Sequence, residues 1–227
     1  NLRSQFITDD ERWVLRTGDD IIGNSYIKKQ NVNLERVGVI FCGYGVTAPE
    51  YKWDDYKGVD VKGKVVIILV NDPPIMNNDE YDNDMFKGRA MTYYGRWSYK
   101  YEEALRRGAA GAIVIHESGP AGYPFSVLQA GHDSESLTIE ASKSLKFQGW
   151  LPLSSAQKLF SMSGLDFSSM KKEALSPDFQ PKNMDIKFTS RIANTYRYVN
   201  SKNVIAKYEG VDSLLKDEYV IYTAHWD

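Results

Sequence analysis

The sequence has one cysteine, Cys42, in 227 residues, which excludes an internal disulfide and any site built from several thiolates. It has three histidines, so imidazole chemistry is confined to residues 116, 132 and 225. Neither sign of charge is in excess: the net charge of -2 provides no broad field for nucleic acid or anionic lipid, and no nucleic-acid partner is expected. Long apolar runs are also absent. The longest aliphatic stretch is 65–70, far short of the roughly 20 residues of a membrane-spanning helix, and no signal-like segment opens the chain. A chain that opens on Asn1 instead of Met reads as a processed or trimmed product.

What the sequence does hold is tyrosine, 15 in all, and β-branched runs punctuated by glycine. This length can bury a large core in one large domain or two unequal ones. Strands are expected at 12–16, 37–41, 65–70, 112–116, 203–208 and 219–224, with turns at 17–20, 62–63 and 119–120. "SYKYEEALRRG" reads as a helix capped by Ser98, supported by Glu102 and Glu103 four residues before Arg106 and Arg107, and stopped by Gly108. Further helices are expected at 154–163, ended by Gly164, and at 167–174. Pro177, Pro181 and many polar residues make 176–200 an extended connection with a domain boundary near it. The fold class is therefore α/β (α+β), rich in strands with a few helices.

Several stretches imitate functional motifs. "CGYGVTA" places Gly43, Gly45 and Ala48 as a dinucleotide loop would, but Pro49 follows at once and "EYKWDDY" lacks a helical apolar period, so tight turns explain the glycines. "NNDEYDNDMFKG" alternates Asn78, Glu80, Asp82 and Asp84 like a calcium loop. An EF-hand would need Gly and Glu where Asn83 and Arg89 stand, so a solvated acidic loop is the better reading, with a looser calcium site at 77–84 left open. His116 and His132 have no second ligand at recognisable spacing. Trp53, Asp54, Asp55 and Tyr56, like Tyr93 and Tyr94, could line a ligand surface, though packing over strand ends is commoner. No nucleophile elbow or local Cys/His pair is present.

The last motif is "VIYTAHWD". Residues i and i+2 of a strand share a face, so His225 and Asp227 could serve one site, with the carboxylate fixing the imidazole's tautomer and raising its basicity. The run before them is apolar on both faces, as in a central strand whose carboxyl end holds a ligand.

"NVIAKYEG" followed by "DEYVIYTAHWD" resembles the opening of the peptidase domain in the zinc aminopeptidase family with two co-catalytic metals. "GYGVTAPEYKWDDYKGVDVKGKVVIILVNDPP" and "GRAMTYYGRWSYKYEEALRRGAAGAIVIHESGPAGYPFSVLQ" are similar to the protease-associated domain of its bacterial members. The resemblance implies a strand-rich lead-in at 1–35, a protease-associated domain at 36–181, a connection at 182–202 and the first strands of an α/β zinc-peptidase sheet at 203–227. It also implies that His225 binds one of two zinc ions, that Asp227 supports His225 without binding metal, and that the remaining ligands follow Asp227, leaving this chain inactive. A peptide substrate and a secreted or periplasmic location come with it. The rivals are a protease-associated binding module for peptides or proteins and a receptor-like relative that lost its metals. The apolar strands at 203–208 and 219–224 are expected to be mobile or to associate with a second copy of the chain.

Overall fold

A computed structural model of the chain describes residues 1–139 and 143–225. Its first unit, Asn1–Tyr196, is organised by an eight-stranded mixed sheet. The strands in chain order are β1 (Leu2–Ile7), β2 (Arg12–Leu15), β3 (Ile22–Asn24), β4 (Asn31–Phe41), the short pair β5 (Thr47–Ala48) and β6 (Trp53–Asp54), β7 (Val65–Leu69), the short pair β8 (Met76–Asn77) and β9 (Glu80–Tyr81), β10 (Gly111–His116), β11 (Phe147–Pro152) and β12 (Lys182–Ala193). The helices are α1 (Trp97–Arg106), α2 (Ser118–Ala121), α3 (Ser126–Gly131), α4 (Leu153–Met162) and α5 (Phe167–Glu173). Across the large sheet the order is β2, β1, β12, β4, β7, β10, β11, β3.

β4, β7, β10 and β11 run parallel, and antiparallel strands flank them on both sides. A parallel strand covered on both faces needs apolar residues at every position. β7 meets that need: Val65, Ile67 and Leu69 enter one apolar cluster and Val66 and Ile68 the other. β10 divides in the same way, with Ile113 and Ile115 on one face and Ala112 and Val114 on the other. α4 and α5 contribute Leu159, Phe160, Phe167 and Met170 to the first cluster, while α1 contributes Tyr101 and Ala104 to the second. The fold class is thus mixed α/β and strand-rich. Among the described residues no helix is long and apolar enough to cross a membrane.

Three local expectations change. The region expected to be an extended connection contains β12, which pairs with both β1 and β4 near the middle of the sheet. Its polar residues conceal a period of two: Met184, Ile186, Phe188, Ser190 and Ile192 are buried, and the polar residues between them face outward. α1 starts at Trp97, so Ser98 lies inside it and supplies no cap; Thr92 instead accepts a hydrogen bond from the Tyr94 N–H at the preceding turn. Gly108, at φ +80°, does follow the helix end, and Glu103 contacts Arg107 at 3.0 Å.

A second unit begins at Arg197. Its described residues carry turns but no helix or strand. The strands expected at 203–208 and 219–224 are therefore not formed: β-branched composition favours a strand only where a neighbour accepts its ladder bonds and covers a face, and neither segment has such a neighbour. Ile221 is 78% exposed and Tyr222 93%.

Candidate functional site

The histidines are widely separated in character. His225 lies exposed at the end of the apolar run, and Asp227 lies outside the described residues. Among the described residues no group of three or more His, Cys, Asp or Glu could hold a metal ion. His225 is one donor, and a structural or catalytic zinc takes at least three from protein, so these residues alone do not fit the two zinc ions that the resemblance implies. His132 sits at the end of α3, its Nδ1 2.6 Å from the Gln129 carbonyl and its Nε2 3.2 Å from Asp133. In the acidic loop, Asn78, Glu80 and Asp84 are exposed and Asp82 half-buried, with Asp82 accepting a hydrogen bond from the Asp84 backbone N–H at 2.9 Å. Gly43 and Gly45, at φ +52° and +62°, form a turn leading to β5, and a Cβ on Gly45 would stand 2.9 Å from the Ile68 side chain. That turn presents no helix N-terminus to a ligand.

A buried polar cluster of the first unit lies just past the carboxyl ends of β4 and β7, where α/β sheets commonly place ligands. Lys100 of α1 is 0% exposed. Its Nζ donates to the Tyr44 carbonyl at 2.6 Å and to the Asn71 carbonyl at 2.9 Å, fastening the turns after β4 and β7 to the helix. Burial pulls its pKa down, against the pull of Asp72 and Asp55. Asp55 accepts from the Val46 N–H at 3.0 Å and the Trp53 indole N–H at 2.8 Å, and burial drives its carboxyl upward. Asp72 accepts from the Thr92 N–H at 2.6 Å through Oδ2, while its buried Oδ1 has no hydrogen-bond partner. A Cβ on Gly95 would stand 2.4 Å from that oxygen.

This cluster positions backbone: Lys100, Asp55 and Asp72 are all buried, and each is hydrogen-bonded to main-chain groups. Trp53 and Tyr56, weighed as ligand-lining aromatics, are buried packing residues, and Trp53 meets Phe86 edge-on at 5.4 Å. Tyr93 is more accessible. It stacks edge-on with Tyr99 at 5.2 Å and donates to Glu102 at 3.0 Å. His116 ends β10, only 2% exposed, among the rings of Tyr123, Phe125 and Trp150. Its Nε2 has no hydrogen-bond partner, and burial lowers its pKa.

Sequence reasoning missed Lys100 and Asp72 because a lysine in a polar helix and an aspartate in a turn are ordinarily solvated. The only hint was the placement of Lys100 between Tyr99 and Tyr101, on a helix whose buried residues include all three. No protein-family model matches the sequence, and no curated protein matches it.

Proposed function

We propose that the chain is part of a secreted or periplasmic zinc-dependent exopeptidase that removes residues from peptide N-termini. In this reading residues 36–181, within the unit Asn1–Tyr196, form a protease-associated module that shapes access to the substrate path, and the segment carrying His225 and Asp227 opens the peptidase domain. His225 ligates one of two zinc ions, and Asp227 holds the imidazole in place.

The observation that carries the reading is the character of residues 219–225. An apolar run left exposed and closed by an imidazole is what a catalytic strand looks like when the sheet that should cover it is formed by other residues. The first unit supports the division of labour, since Lys100, Asp55 and His116 are enclosed and positioned for structure. The same enclosure favours the second reading, a non-catalytic protease-associated module or receptor-like relative that binds peptide or protein. The gene sequence after Asp227 separates the two: an Asp about 10–30 residues on, then a Glu-Glu pair and a distal His, would complete the three or more ligands a catalytic zinc requires.

Residues 1–227 alone are expected to bind zinc weakly and to hydrolyse no amino-acid anilide. Calorimetric titration giving tight stoichiometric zinc binding that His225→Ala abolishes would refute that expectation. In the complete enzyme with saturating zinc, His225→Ala should abolish turnover, while Asp227→Asn should lose ~10–100-fold and remain measurable. Equal and complete loss in both would mean that Asp227 binds metal or moves a proton.

A further inference from the structure

Among the described residues, Ser4, Tyr56, Asp72, His116 and Ser190 each hold a buried polar atom without a hydrogen-bond partner. Only an imidazole ordinarily changes charge between about pH 5 and 8, so of these His116 is the group that responds to mild acid. It closes β10 and is 2% exposed, its ring centre 5.2 Å from that of Tyr123, 5.4 Å from that of Phe125 and 6.1 Å from that of Trp150. Trp150 belongs to β11, whereas Tyr123 and Phe125 belong to residues 117–131, the stretch that carries α2 and α3.

That stretch is lightly held. None of its residues is buried. Ala121, Phe125 and Leu128 lie partly buried against the second apolar cluster, while Val127 is exposed and a Cβ added to Gly119 or Gly122 would meet nothing within 4 Å. Its polar ties to the rest of the unit include Asn71 Nδ2 donating to the Pro120 carbonyl at 3.0 Å, Gln129 Nε2 donating to the Gly18 carbonyl at 2.9 Å, and the ion pair of Glu117 with Lys171 at 2.7 Å. A stretch with few buried apolar contacts opens at lower free energy than the sheet beneath it.

The surroundings of His116 make that opening sensitive to acid. Burial opposes the charged imidazole, and hydrogen bonding to the backbone of Tyr123 and of His116 itself, with the charge of Glu117, favours it without cancelling burial. Burial also keeps the Tyr123 and Tyr101 phenols neutral, and the Tyr101 hydroxyl donates to the Gly149 carbonyl at 2.9 Å. Lys100 of α1 is committed to the Tyr44 and Asn71 carbonyls, and neither β7 nor β11 brings a charged side chain. A proton taken up at His116 is therefore poorly met while 117–131 lies over it, and water meets it once the stretch has moved away.

We propose that residues 117–131 are an acid-opened lid, and that protonation of His116 displaces the lid and uncovers the imidazole and Trp150 at the ends of β10 and β11. The inference stands apart from the peptidase reading, because the lid is followed without zinc or turnover.

The test is native-state amide exchange of the full chain at low concentration, from about pH 7.5 to about pH 5 and at several urea concentrations below the unfolding transition. The reporters are Ala121, Gly122, Leu128 and Gln129, whose N–H groups donate to carbonyls inside the lid. After correction for intrinsic exchange, their opening constants should rise by up to about tenfold per pH unit below about pH 6.5. The rise should depend little on urea, as a small local opening requires, and the indole N–H resonance of Trp150 should shift over the same pH range. His116→Gln and His116→Phe cannot take up the proton, and each should flatten the pH dependence. The parent chain alone can overturn the proposal: by opening that does not change with pH, by exchange of the four amides only through the urea-dependent unfolding that exposes β7, or by protection that rises in acid because the surrounding rings hold the imidazolium in place. A slope kept by both variants would overturn it as well.

Discussion

Residues 65–69, VVIIL, and residues 219–222, YVIY, are nearly the same kind of sequence, and they meet opposite fates. The first becomes β7, buried on both faces with β4 on one side and β10 on the other. The second is exposed and unpaired. The difference lies in what surrounds each run. β7 has a parallel neighbour on each side and a helical layer on each face, so burial and ladder bonds reinforce one another. Residues 219–222 have the propensity without the neighbours, so a strand is a property of the sheet it joins as much as of its own residues.

The largest effect that sharpens this contrast concerns Lys100. Lys100→Met would leave the Tyr44 and Asn71 carbonyls without a donor and Asp72 without its buried cation, which should cost about 3–5 kcal/mol in urea unfolding. A loss below about 1 kcal/mol would show that the cluster does not hold the strand ends. Next comes a matched pair. Ile67→Ala should cost about 2–5 kcal/mol, whereas Ile221→Ala should change stability by no more than about 0.5 kcal/mol. Comparable losses at both positions would break the contrast.

The smallest effect is a pH dependence. Burial holds His116 below its ordinary value, so as pH falls through about 6.5 the unfolded chain takes up a proton there that the folded chain does not. The stability it contributes is therefore fully present above that pH and lost below it. Glu117, the neighbouring charge, opposes the shift without cancelling it. His116→Phe should remove this part of the slope, so the variant should gain in Tm relative to the parent as pH is lowered from about 7.5 to about 5. A constant difference between the two would mean that His116 keeps its ordinary titration.

These contrasts also mark how much was legible beforehand. β7, β10, α1, α4 and α5 announced themselves, because runs such as 65–69 and the helix at 97–106 are decided by local period and terminators. β12 did not, since its alternation runs through Asn183, Asp185, Lys187 and Thr189, and only burial against β1 and β4 gives the pattern meaning. β1 was missed for a related reason: "LRSQFI" buries Ser4 between Leu2 and Phe6, so its apolar face is broken. His225 was singled out from the sequence by its place after an apolar run. Lys100 and Asp72 were not, because burial of a polar group depends on long-range contacts that local pattern does not encode.

The central claim is that Asn1–Tyr196 carries the stable sheet and that the described apolar segment after it forms no strand of its own. Amide hydrogen exchange of the chain at low concentration tests this most directly. The account predicts exchange limited by global unfolding in β7, β10 and β12, and rapid exchange across residues 203–224 that slows only as chain concentration rises and a second copy covers them. Protection across 203–224 equal to that of β7 at every concentration would contradict it.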